Sequence, residues 1–174
     1  LEAKASGFHV IVMTHPGERI DEIRKLGLEW HPVFFNRSGL NPIGELKTLL
    51  SILKSLKRVK ADLIHNIALK PVVYGSIVGK MMGIPVINTI AGLGYSLAER
   101  NFKSFLLKNA LFTLFRLGAR KEKNLYIFQN RDDHQLFLEN RLVSKENSLI
   151  IAGSGVDTYR GGTRTRRCGR CRCG

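Results

Sequence analysis

Cysteine is missing from residues 1–167, and the three present, Cys168, Cys171 and Cys173, fall together at the extreme carboxyl end. The body of the chain therefore gives no sign of a disulfide framework or of its redox compartment. The C-x2-C-x-C spacing lacks a fourth ligand and a fold to hold it, so no metal site is expected. Long apolar runs are missing too. No stretch of eighteen or more suggests a membrane-spanning helix, and the opening residues lack a signal-peptide pattern. Acidic residues are scarce, 14 against 28 Lys and Arg. No G-x-G-x-x-G turn follows any strand-like segment, which counts against a nicotinamide or flavin oxidoreductase and against an epimerase of the same architecture.

What is present is alternation. Strand-like runs at Phe8–Thr14, Leu28–Phe35, Asp62–Ile67, Pro85–Ile90, 124–129 and 148–151 are separated by helical segments at Glu18–Leu26, Ile43–Lys60, Pro71–Met82, 99–121 and 132–140. The order predicts an α/β domain with a doubly wound, Rossmann-like parallel sheet. In the long helix at 43–60, leucines at 46, 49, 50, 53 and 56 mark a buried stripe and leave the lysines in water. A length of 174 residues and 44% hydrophobic content suit one domain. The first seven residues read as the last turns of a helix closed by Gly7, so an earlier segment is expected.

The strand-helix-strand unit at 62–95 is the most informative stretch. Its two apolar runs have the composition of strands buried on both faces, and parallel neighbours joined through a helix present their carboxyl-end turns on one edge of the sheet. Open α/β sheets bind ligands there. His65, Asn66, Lys70, Gly92, Gly94 and Tyr95 gather on that edge. Lys70-Pro71 reads as a helix start, and helix amino ends attract anions. A phosphorylated or polyhydroxylated ligand is expected.

Residues 160–174 change character, with six Arg, four Gly, three Cys and two Thr and nothing aliphatic or aromatic to pack. Residues 159–174 therefore read as a disordered tail, since no buried apolar surface offsets the entropy of ordering. Its composition fits either out-of-frame translation of a GC-rich message or an ordinary basic tail. With those six arginines set aside, 22 basic side chains still face 14 acidic ones. Such an excess suits phosphates, an anionic membrane surface or nucleic acid. A basic nucleic-acid-binding module is the non-enzymatic alternative, although no aromatic platform for RNA is evident.

Four segments taken together carry a family resemblance: RSGLNP at 37–42, HNIALKPVVYGS at 65–76, TIAGLGYS at 89–96, and IFQNRDDHQLF at 127–137 followed by GSGVD at 153–157. Over residues 1–158 the chain resembles the amino-terminal, acceptor-side domain of family 4 glycosyltransferases, the retaining GT-B enzymes of bacterial surface-polysaccharide synthesis. The resemblance implies transfer of a hexosyl group from a nucleotide sugar to a polyprenyl-diphosphate-linked or glycan acceptor. It places the work at the cytoplasmic face of the cell membrane, without a cofactor or specific nucleic acid. The donor would be bound mainly by a second domain beginning after Asp157.

The family's opening strand would precede Leu1. In a sheet wound 3-2-1-4-5-6, that strand lies between the segments at 8–14 and 62–67, and this chain is expected to lack it and to be inactive alone.

By the same resemblance, His65, Asn66, Lys70, Gly92, Gly94 and Tyr95 would contact acceptor, while Asn130, Gly153, Gly155 and Asp157 would border the donor cleft or form a hinge. Many relatives place a histidine where this chain has Ala91, so no catalytic residue is assigned. Asp132 and Asp133 read as helix caps. The basic, phenylalanine-rich stretch Arg100–Lys123 is either a membrane-surface helix or a core helix with a solvated face.

Overall fold

The computed structural model describes residues 2–35, 42–92, 102–119 and 122–152, with side chains from Ile43 and Asn109 onward in the two helices that open the second and third stretches. The chain starts with a short helix, α1 (Glu2–Ala5), closed by Gly7. It continues through β1 (Ile11–Thr14), α2 (Ile20–Lys25), β2 (Glu29–Pro32), α3 (Pro42–Val59), β3 (Ile64–Ile67), α4 (Leu69–Met82) and β4 (Val86–Ile90). After α5 (Phe102–Gly118) come β5 (Asn124–Phe128), α6 (Arg131–Glu139), one 3-10 turn at Lys145–Asn147 and β6 (Ser148–Ile150). Every strand and helix described after α1 falls within or beside an expected segment, with shorter strands. The tail at 159–174, and the place where the first domain is expected to end, lie outside the described residues.

All strand pairs are parallel, but they form two sheets, β1-β2 and β3-β4-β5-β6. The break separates β1-β2 from β3-β4-β5-β6, as expected if the central place between β1 and β3 is empty. A common core still spans it. Val33, just beyond β2, packs with Ile52 and Leu56 of α3, Ile64 of β3, Val78 of α4 and Val86 of β4, and Met13 of β1 lies against that cluster. A second core joins Ile90, Tyr126 and Phe128 to Phe112 and Phe115 of α5 and Phe137 of α6. Phe137 is met edge-on by Phe115 at 5.0 Å and by Phe128 at 5.1 Å. The described part of α5 is thus a core helix.

The expectation that the strands at 62–67 and 85–90 are buried on both faces is not met. In β3, burial alternates, with Ile64 and Asn66 inside and His65 and Ile67 exposed, whereas in β4 Ile87 and Thr89 on the second face are half-buried. The physical reason is that α3, α4, α5 and α6 all pack on the side of Ile64, Asn88 and Phe128. Among the described residues, helices are seen on both faces at the smaller sheet. There α2 sets Arg24 over the Trp30 ring at 5.9 Å, whereas α3 meets the opposite side at Met13 and Val33.

Helix α4 lies very close to the sheet. A side-chain carbon at Gly75 would collide with the amide of Asn66, so only glycine fits. Gly75→Ala is expected to destabilise the domain by about 2 kcal/mol through overpacking. Urea unfolding followed by circular dichroism checks this, and an unchanged midpoint refutes it. Among the described residues, the strands expected to border the break have no pairing strand on one side, and Ile67 is 60% exposed. The chain is accordingly expected to self-associate with rising concentration in sedimentation experiments, and Ile67→Lys to shift it towards monomer. A monomer that unfolds cooperatively at all concentrations would overturn this.

Candidate functional site

The carboxyl ends of β3 and β4 form one rim. His65 projects from the exposed face of β3, and its Nε2 lies 2.8 Å from Thr89 Oγ1 of β4. The parallel register pairs Ile67 with Thr89, so this contact is diagonal and tilts the imidazole towards the carboxyl edge. Burial of part of the ring lowers the His65 pKa below its ordinary value, which favours the neutral form. Gly92 follows β4 on the same rim, exposed and at φ 70, a conformation that suits glycine.

Between β3 and α4 the chain turns through Ala68 alone, at φ 75 and ψ 159. Glycine normally occupies that region, and another residue there stores roughly 1–3 kcal/mol of strain. No side chain caps α4. The helix begins at Leu69, two residues before the expected proline start. Pro71 still falls in the first turn, where a missing N–H removes no intrahelical bond.

Lys70 is not a solvated lysine. Its Nζ lies 3.1 Å from Glu45 Oε1 of α3, and the Tyr74 hydroxyl donates to Glu45 Oε2 at 2.6 Å. Desolvation, reinforced by the neighbouring carboxylate, pushes the Tyr74 pKa up, so Tyr74 remains a donor. The start of α3 is thereby tied to the start of α4. Glu45 escaped the sequence reading because its partners lie 25 and 29 residues away.

Asn66 points the other way. Only 7% exposed, it donates from Nδ2 to Asn88 Oδ1 at 2.9 Å, and Asn88 Nδ2 donates to Ser76 Oγ at 2.9 Å beneath α4. It therefore shapes the rim from below instead of lining it. Strand alternation alone placed Asn66 opposite His65.

Asn130, at the end of β5, is occupied as the amino cap of α6. Its Oδ1 accepts from the Asp133 backbone N–H at 2.7 Å, and its Nδ2 donates to Asp133 Oδ2 at 2.7 Å. The cap is thus Asn130, with Asp133 reciprocating, where the sequence suggested the aspartates. Gly94, Tyr95, Gly153, Gly155 and Asp157 lie outside the described residues.

Two further features were not anticipated. His15, just after β1, packs edge-on to Phe34, and its buried Nδ1 has no hydrogen-bond partner among the described residues. A hollow of 390 Å³ opens at the opposite, amino-terminal edge between Pro85, Lys123 and Asn147. Glu122, Lys123 and Glu146 border it, and it lies away from the rim where α4 begins. Among the described residues no cluster of metal-ligating side chains occurs, and no helix is long and apolar enough to cross a membrane.

Comparison with known proteins bears on the family and the fold. The chain is 30% identical over 146 residues to N,N'-diacetylbacillosaminyl-diphospho-undecaprenol alpha-1,3-N-acetylgalactosaminyltransferase of Campylobacter jejuni, a match covering 83% of this chain and 38% of that protein. It is 30% identical over 116 residues to UDP-Gal:alpha-D-GlcNAc-diphosphoundecaprenol alpha-1,3-galactosyltransferase of Escherichia coli, covering 66% of this chain and 28% of the relative. The chain thus spans little more than a third of the length of the first relative. Among solved structures, MurG of Acinetobacter baumannii superposes with a TM-score of 0.55 at 16% identity, covering 90% of this chain and 40% of MurG. The calicheamicin glycosyltransferase CalG4 superposes with a TM-score of 0.51 at 15% identity, covering 87% and 47%. These likenesses bear on fold alone, and they agree with the Rossmann-like domain of GT-B proteins. The glycosyl transferase 4-like family model matches residues 1–130, and the chain belongs to that family.

Proposed function

We propose that this chain supplies the acceptor side of a retaining glycosyltransferase that moves a hexosyl group from a nucleotide sugar to a polyprenyl-diphosphate-linked or glycan acceptor in cell-envelope polysaccharide synthesis. The observation that carries this reading is the shared rim of His65, Thr89 and Gly92 beside the start of α4, in a chain of this family. Two glycosyltransferase relatives whose names specify diphosphoundecaprenol-linked sugars support the acceptor class. The oxidoreductase, epimerase and nucleic-acid readings have no comparable support.

In this scheme, neutral His65 and Thr89 hydrogen-bond a sugar hydroxyl. The α4 start and Lys70 favour the acceptor diphosphate. Asn66 positions β3 against α4 from inside. Gly92, together with Gly94, lets the acceptor approach the backbone closely, and Tyr95 offers a ring to stack on a sugar or lipid. Asn130, Gly153, Gly155 and Asp157 border the donor cleft. The bond broken joins the sugar to a nucleoside diphosphate, whose developing negative charge calls for fixed dipoles and cations. Those groups, and most donor contacts, belong to a second domain, so the nucleotide sugar is a substrate here and no cofactor takes part. The acceptor lipid puts the work at the cytoplasmic membrane face.

Titrating the 174-residue chain with a short-chain polyprenyl-diphosphate-linked sugar should give saturable binding. His65→Ala and Lys70→Ala should each weaken it about three- to tenfold, the worth of one hydrogen bond or charge contact. Binding that is absent, or untouched by both variants, sinks the acceptor assignment. Transfer of radiolabelled sugar by this chain alone would sink the division of labour between two domains.

A pH dependence follows from His65. Its folded pKa is below the 6.5 of a free imidazole, so the folded state holds fewer protons than the unfolded one as pH falls past that value. The stability contributed by the neutral ring is complete above about pH 6.5 and is lost as pH drops through the folded pKa. His65→Asn should flatten the decline in thermal midpoint between about pH 7 and 5. Proton NMR titration giving a His65 midpoint at or above 6.5 contradicts this.

A further inference from the structure

The two sides of α3 differ in a way the buried stripe does not explain. Thr48, Ile52 and Leu56 face the core and are at most 5% exposed. On the opposite side Ile43, Leu46 and Leu50 are 67%, 56% and 45% exposed. Lys47, Lys54, Lys57 and Arg58, all exposed, lie within about 60° of the same line along the helix. No ion pair engages any of the four among the described residues.

The one carboxylate of α3, Glu45, is turned inward onto Lys70 and Tyr74, so the outward face carries no acid. Phe34, itself 45% exposed, lies on another flank of α3, where its backbone N–H donates to Ser51 Oγ at 2.9 Å. Single exposed leucines need no explanation. A row of three, among cations and without acids, does.

We infer that this face of α3 docks on an anionic lipid bilayer, the aliphatic row entering the headgroup region while the cations reach lipid phosphates. One surface then accounts for both features. A nucleic acid would leave the aliphatic row unused, and the absence of acids removes the mixed charge of a helix merely solvated by water. The Glu45 link puts the apolar end of this face beside the start of α4, next to the rim proposed for acceptor. The inference rests on the acceptor reading only for its purpose, since vesicle binding needs no acceptor.

Vesicle flotation of the 174-residue chain tests it, because bound chain rises while self-associated chain does not. Phosphatidylcholine vesicles with and without phosphatidylglycerol are compared, and the arginines at 160–174 are kept in every variant. Binding should require phosphatidylglycerol. Leu46→Gln with Leu50→Gln, which changes no charge, should weaken it at least tenfold. Lys54→Gln with Lys57→Gln should weaken it roughly fivefold per charge removed. Lys25→Gln with Lys145→Gln, equal in charge but on other elements, should stay within about twofold. Thermal melts confirm that these exposed substitutions leave the fold intact. The inference is overturned if the leucine pair floats like the parent, if both lysine pairs weaken binding equally, or if the chain never floats. Docking that survives while polyprenyl-diphosphate sugar fails to bind would remove the acceptor reading and leave this one standing.

Discussion

The close seating of α4 on β3 and β4 governs everything on the carboxyl rim. Gly75 lets the helix backbone descend onto Asn66, and beneath it Asn66, Asn88 and Ser76 satisfy one another, with Asn88 wholly buried. An unpaired amide in that position would cost about 1–3 kcal/mol, so a shifted helix is penalised on both sides of the contact. Apolar surfaces can slide past each other, whereas donor and acceptor positions cannot. The relay thus fixes where α4 begins. Because a single residue joins β3 to α4, Ala68 is forced into a region that glycine normally holds, and the clamp on either side sustains that strain.

A second link extends this control outward. Glu45 receives both Lys70 and Tyr74, and it is the only acid in α3. Being half-shielded at the helix contact, the group is screened less than a surface pair. It sets α3 against α4 at their starting ends, while Ile52 and Leu56 fill the core further along. The same carboxylate leaves the outer face of α3 purely cationic and apolar. Fold and surface character at this corner therefore have one cause.

Much of this was readable beforehand, for identifiable reasons. Alternating apolar runs and amphipathic spacing are local signals, and they gave the strand and helix order, while the break beside β3 was an expectation of the family resemblance. The rim was placed by the parallel crossover rule, and His65 and Gly92 do lie on it. Local signals fail where the answer depends on contacts distant in sequence. Glu45 meets partners more than twenty residues away, and Thr89 joins His65 only through the register of two strands. Asn66 differed from expectation because neighbours in a strand point to opposite faces, so adjacency in sequence separated it from His65 in space. Strand burial on both faces was over-read, since β-branched composition reports a buried strand without reporting which layers cover it. Asn130 and Asp133 show a finer limit, as both ends of a capping pair satisfy the same sequence pattern.

The electrostatics of this corner also separate the two surfaces proposed for it. Lys70 already faces a carboxylate at 3.1 Å, so an acceptor diphosphate meets a partly compensated cation together with the fixed dipoles of the α4 start and the hydrogen bonds of His65 and Thr89. The hydrogen bonds are directional and short, so salt weakens them less than it weakens the dipole and charge contributions. The four cations on α3 are exposed, so their attraction to a lipid surface decays over a Debye length of about 8 Å at physiological ionic strength. One corner of the domain thereby holds a salt-tolerant grip and a salt-sensitive one side by side. Raising ionic strength should release the membrane face before it disturbs the rim, because the rim draws part of its affinity from short hydrogen bonds and the α3 face draws on four exposed cations.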